Sequence, residues 1–142
     1  MDDSFIELEG HRIEAIPLGH TDTDDTTCLH VPYLDLVVAG DAVYNNVHLY
    51  LAESPQEGRE EWLAALERIE RLNPRLVVAG HKDPQAPDSA SAIGETRQYI
   101  HNFAKLADNA ESVLDLYEAM LEIHPNRINR GALWGAARFA LG

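Results

Sequence analysis

The chain has 142 residues, enough for one domain with a core but short for a complete four-layer αββα sandwich. With 45% hydrophobic and 25% charged residues it reads as a globular chain, and no apolar run is long enough to span a bilayer. A formal net charge of −13 repels phosphate backbones, which argues against a nucleic-acid partner.

The chain opens on Met1-Asp2-Asp3-Ser4, without the basic and apolar regions of a secretory leader, and its single cysteine cannot form an intrachain disulfide, so the expected location is the cytoplasm. Phe5 to Leu8 and Arg12 to Ile16 flank Glu9-Gly10 and predict a β-hairpin. Gly19 then turns the backbone and presents His20 just past a strand end, before a polar loop from Thr21 to Thr27. Cys28 to Val31 re-enters the sheet, Pro32-Tyr33 turns, and Leu36 to Ala39 runs out to Gly40-Asp41. Ser54-Pro55-Gln56-Glu57 predicts a helix start with serine as cap, and Trp62, Leu63, Leu66 and Ile69 give that helix an apolar stripe as far as about Leu72. Leu76 to Ala79 repeats the earlier strand and ends on Gly80-His81. The intervening helix makes the two like strands parallel, and their uniformly apolar residues predict central positions covered on both faces.

Asp88 is a candidate cap for a helix carrying Ile93, Ile100, Phe103, Ala104 and Ala107. Asp108-Asn109-Ala110-Glu111 resembles a capping box for a next helix with Val113, Leu114, Tyr117 and Leu121 inward, ended by His124-Pro125. A last short helix covers Ala132 to Leu141, with Asn129 as candidate cap. No interdomain linker interrupts residues 1–142, so the expected organisation is a single domain.

Three positions share one pattern, a strand followed by glycine and a metal-ligating side chain: His20, Asp41 and His81. Imidazole and carboxylate at strand ends suit zinc, with manganese or iron as alternatives. Taken singly, each is more often a loop histidine or a strand-end aspartate with a hydrogen-bonding role. His48 and Tyr44 follow the Asp41 strand and are candidates for a cleft mouth, and Lys82 for an anionic substrate group. The alternatives are a histidine packed under the next helix and a solvated lysine. Asp22, Asp24 and Asp25 either orient His20 or form a solvated acidic loop. Cys28, Trp62 and Trp134 read as packing residues.

Gly19-His20-Thr21, Ala39-Gly40-Asp41 and Ala79-Gly80-His81 resemble, in order and context, the last three metal-binding motifs of metallo-β-lactamase-fold hydrolases. By that resemblance His20 serves a first metal, Asp41 bridges two, and His81 serves the second. Val43 to His48 and Gly131-Ala132-Leu133-Trp134-Gly135 look like an uncharacterised branch of the same hydrolases. The family's His-x-His-x-Asp-His cluster is absent from the sequence. The resemblance therefore implies the C-terminal half of an αββα sandwich: one mixed sheet with helices on one face, plus C-terminal helices. It implies a truncated metal-dependent hydrolase, weak or inactive unless a second half or copy completes it, for a small-molecule substrate of the ester, lactam, lactone, thioester or phosphodiester class. The alternative is a non-catalytic dimerisation or small-molecule-binding module. No catalytic residue beyond the metal set is assigned. Loss of the packing half predicts a homodimer through the bared sheet face.

Overall fold

The computed structural model describes residues 4–142; the Met1–Asp3 start, read above as lacking a leader, lies outside them. Strands β1 (Phe5–Leu8), β2 (His11–Gly19), β3 (Thr26–Val31), β4 (Leu36–Asn45) and β5 (Leu76–Lys82) form one sheet in that order. The first four run antiparallel, and β5 joins β4 in parallel after helix α1 (Gln56–Arg71). Helices α2 (Ser91–Asn109), α3 (Val113–Ile123) and α4 (Arg130–Leu141) complete the chain.

Local chemistry accounts for the turns. Glu9 and Gly10 both take positive φ, 52° and 81°, as a two-residue hairpin turn of the right twist demands. A single 3₁₀ turn, Pro32–Leu34, closes on Asp35 in the left-handed region, and a proline at its start supplies the preset φ. Helix α1 lays Trp62, Ala65, Leu66 and Ile69 on the sheet, all fully buried, with the Trp62 indole donating to the Ala42 carbonyl at 2.8 Å. They meet Val37, Ala39 and Val77 from the same face of β4 and β5.

Several expectations are corrected. The β5 strand lies at the sheet edge rather than in the centre, because the crossover delivers it beside β4 and no later segment adds a strand among the described residues. Burial alternates along β5 and the first part of β4: Val37 and Val77 are buried whereas Val38 and Val78 are half-buried, so only one face is covered there, while Ala42 to Asn45 at the end of β4 are buried on both faces. Ser54 does not cap α1, since its hydroxyl is engaged by His20 and the Thr21 carbonyl. Asp88 pairs with Lys82 and α2 starts later, at Ser91. The predicted break at Asp108 gives way to Ser112, whose hydroxyl accepts from the Asp115 amide at 3.1 Å and caps α3. On α3 the fully buried residues are Leu116 and Met120, while Leu114 is exposed. No described helix is long and apolar enough to cross a membrane.

Candidate metal centre

The carboxyl ends of β4 and β5 build the site. At Gly40 the backbone takes φ +56°, where the register between the two strands breaks, and the next residue, Asp41, leaves the ladder half-exposed. Gly80 is required by contact: a Cβ there would overlap the Asp41 carboxylate and meet the Gly40 carbonyl carbon at 2.7 Å. The following His81 brings Nε2 to 3.4 Å from Asp41 Oδ1. The repeated strand and glycine pattern thus does two different jobs, a bend in β4 and a close approach in β5.

Asp22 is the third member. The donor atoms of Asp22, Asp41 and His81 lie within 4.8 Å of one another. Unlike its half-exposed companions, Asp22 is buried, 4% exposed. Tyr44 Oη donates to its Oδ2 at 2.9 Å and Thr21 Oγ1 to its Oδ1 at 3.3 Å. Burial foremost, with the Asp41 charge adding, raises the Asp22 carboxyl above its ordinary range despite those donors. Burial and the Asp22 charge also hold the Tyr44 phenol far above its usual value, so it stays a donor. The Tyr44 ring stacks on His81 with centroids 4.7 Å apart, and its backbone N–H donates to Thr96 Oγ1 of α2. Beside the group a cavity of about 290 Å³ is lined by Asp22, Tyr44, Tyr50, His81, Asn129 and Ala132. The start of α4 therefore forms its far wall.

The sequence-based set is only partly brought together. Asp41 and His81 converge, with Asp22 where His20 was expected. The His20 ring is engaged elsewhere: Nδ1 lies 2.7 Å from Asp24 Oδ1, and Nε2 lies 2.9 Å from Ser54 Oγ. It packs so closely on α1 that a Cβ at Gly58 would sit 2.8 Å from Nε2. Asp24 thus orients His20, as the acidic-loop reading allowed, and Asp22 lies with Asp41 and His81 instead. Its only sequence signal was its place two residues past the histidine. Serine, histidine and aspartate here form a hydrogen-bonded chain resembling a nucleophilic triad, but Ser54 is fully buried.

Of the other candidates, Tyr44 lines the cavity. Lys82 bonds Asp88 at 2.8 Å. His48, expected at a cleft mouth, is fully buried; its Nδ1 faces Tyr99 Oη at 2.9 Å, and among the described residues its Nε2 has no partner. The Val47 to Leu51 segment turns inward after β4, burying Val47, Leu49 and Leu51, and carries His48 into the core with them.

A mixed sheet on which Asp41 of β4 and His81 of β5 meet Asp22 from the loop after β2 defines an α/β protein with a site suited to a divalent cation. The model of the metallo-beta-lactamase superfamily matches residues 2–81, a span that ends on His81, and the chain belongs to that superfamily. A metallo-beta-lactamase from Pontibacter korlensis shares 21% identity and superposes with a TM-score of 0.59 over 70% of this chain and 46% of its own. A metallo-beta-lactamase family protein from Thermus thermophilus shares 19% identity, with a TM-score of 0.64 over 99% of this chain and 46% of its own. These likenesses establish the fold, and the chain spans under half the length of either protein. No curated protein matches the sequence.

Proposed function

We propose that the chain carries a metal-dependent hydrolytic centre holding a divalent ion, zinc by preference over manganese or iron, on Asp22, Asp41 and His81. The observation that carries this reading is the convergence of their three donor atoms within 4.8 Å beside a cavity. Two carboxylates and an imidazole are a suitable donor set, and a cation would offset the burial and the Asp41 charge that raise the Asp22 carboxyl. When bound, such an ion supplies Lewis acidity, acidifying water near neutral pH and polarising a carbonyl or phosphoryl oxygen. The chain's own part is positional. Tyr44 holds Asp22 by its phenol and His81 by its ring face, and Gly80 lets Asp41 approach the β5 backbone. Tyr50, Asn129 and Ala132 shape the space for a small substrate.

The sequence contains no His-x-His-x-Asp-His cluster, so the reading supplies one three-donor site and predicts weak turnover for the chain alone. The second reading, a small-molecule-binding or dimerisation module without catalysis, draws on the same cavity and on the uncovered sheet face. A cytoplasmic setting fits the lone buried Cys28, whose thiol burial pushes up to about 11 and so keeps unreactive. Elemental analysis of protein from zinc-supplemented growth tests the metal reading. About one equivalent of zinc is expected for the one site, reduced in Asp41→Ala and His81→Ala. Metal-free protein after supplementation would sink it and leave the binding module. Robust β-lactam or lactone turnover lost in Asp41→Ala would overturn the expectation of weak activity.

A further inference from the structure

Strand residues on the side away from the helices are mostly apolar from one edge of the sheet to the other, with His11 and Thr27 as polar members. Register places Ala15, Leu29, Val38 and Val78 in one row across four strands. A parallel row, Val31, Leu36 and Leu76, lies one pleat away, and Ile13 with Ile6 extends the surface onto β1. Ile6, Leu8, Leu29 and Leu76 are 64%, 60%, 41% and 36% exposed.

The alternation in the outer strands is inverted for a sheet that shows this face to water. On β1, β2 and β3 the charged side chains Glu7, Arg12 and Glu14, together with His30, project to the helix side, where Glu14 contacts Arg12 and His30; His11 lies on the other side, at the hairpin end, with its ring stacked on Tyr33. The aliphatic positions between them project to the uncovered side. A half-buried antiparallel sheet turns its apolar residues toward its cover and its polar ones to solvent. The cover of this hairpin therefore belongs on the side that has none.

We propose that a second copy of the chain covers this face, pairing the two sheets across a two-fold axis. The extent of the face suits it. Five strands about 4.8 Å apart and averaging about seven residues span roughly 24 Å by 24 Å, or on the order of 600 Å² per copy and 1,200 Å² for the pair, the lower edge of specific interfaces. Its chemistry suits a copy as well. The rows contain no Asp, Glu, Lys or Arg, so self-pairing opposes no like charges at the centre even in a chain of net charge −13. They also contain no charged or hydrogen-bonding anchor that would select a different protein. An aliphatic face facing itself satisfies the symmetry of an isologous contact. This inference stands independently of the metal reading.

Light scattering coupled to size exclusion, at micromolar concentration and physiological ionic strength, tests it. The expected mass is twice the 15.8 kDa of the chain. Leu29→Lys, in the middle of the face, should return the mass to 15.8 kDa, whereas Leu114→Lys, exposed on α3, should leave the doubled mass unchanged. Far-ultraviolet circular dichroism reports whether each variant folds, and if Leu29→Lys does not, Ile6→Lys on the edge hairpin is read in its place. A monomeric unsubstituted chain, a dimer that survives the face substitution, a dimer broken by Leu114→Lys, or one-to-one capture of another protein by a chain that does not pair with itself would each overturn the proposal.

Discussion

Tyr44 joins two members of the candidate centre that differ in exposure, since its phenol donates to buried Asp22 and its ring lies on half-exposed His81. Tyr44→Phe keeps the stacking and removes the donor, leaving one oxygen of a buried carboxylate short of a bond at a cost of about 1–3 kcal/mol. It should also weaken zinc binding by about 10–100-fold, as loss of a group orienting a metal ligand does, and calorimetric titration measures that. Gly58 offers a test of the His20 placement. Alanine in a helix ordinarily gains about 0.5–1 kcal/mol over glycine. Here its Cβ would meet Nε2 and Cδ2 of a ring that Ser54 and Asp24 hold in place. Gly58→Ala is therefore expected to destabilise by about 1–3 kcal/mol in urea unfolding, the sign of an overpacked contact. A stabilised variant would show that the ring is free to leave.

At the scale of elements, the segment after β4 sets a pH dependence. Burial, then the nearby Arg127 charge, pushes the His48 imidazole down to about 4 from the ordinary 6.5. Between those values the unfolded chain takes up a proton that the folded chain refuses. Stability contributed by neutral His48 is thus whole above about pH 6.5 and is lost as pH falls toward about 4, by on the order of 3 kcal/mol. His124, pushed to about 4 by burial and Arg127, adds to the same slope. Urea midpoints measured across that range should fall less steeply in His48→Gln, and an unchanged slope would assign the dependence to other groups. Helix α3 has a simpler dependence on its cap. Ser112→Ala removes the acceptor for the Asp115 amide and should cost about 1 kcal/mol, read from the same midpoints.

For the whole molecule, the proposed centre would tie metal to global stability, because the unfolded chain cannot hold Asp22, Asp41 and His81 together. Zinc at about 100 times its dissociation constant should add about 2.7 kcal/mol and raise the melting temperature. The rise should vanish with chelator and in Asp41→Ala; an equal rise in that variant would place the ion elsewhere, on the acidic surface of a chain with 24 Asp and Glu residues.

The sequence by itself determined the elements and the family. The hairpin was legible because Glu9-Gly10 can take the positive φ values its turn needs, and the β4-α1-β5 crossover because Trp62, Leu66 and Ile69 repeat at helical spacing between two apolar strands. Asp41 and His81 were legible because each follows a glycine after an apolar strand run, although β4 continues past Asp41 to Asn45 beyond the break in register at Gly40. Tertiary structure decided which face each apolar position meets. On α3, Val113, Leu114, Leu116, Tyr117, Met120 and Leu121 offer overlapping stripes, and packing against α2 and α4 selects the one with Leu116 and Met120. It also placed His20 and Asp22 differently. Both sit on one polar loop, and residues distant in sequence set where each points: Ser54 and Gly58 receive the imidazole, and Tyr44 receives the carboxylate beside Asp41 and His81. Local pattern carries no record of contacts across such separations, and so the fold was readable at the level of strands and helices while the side chains that gather around Asp41 and His81 were not.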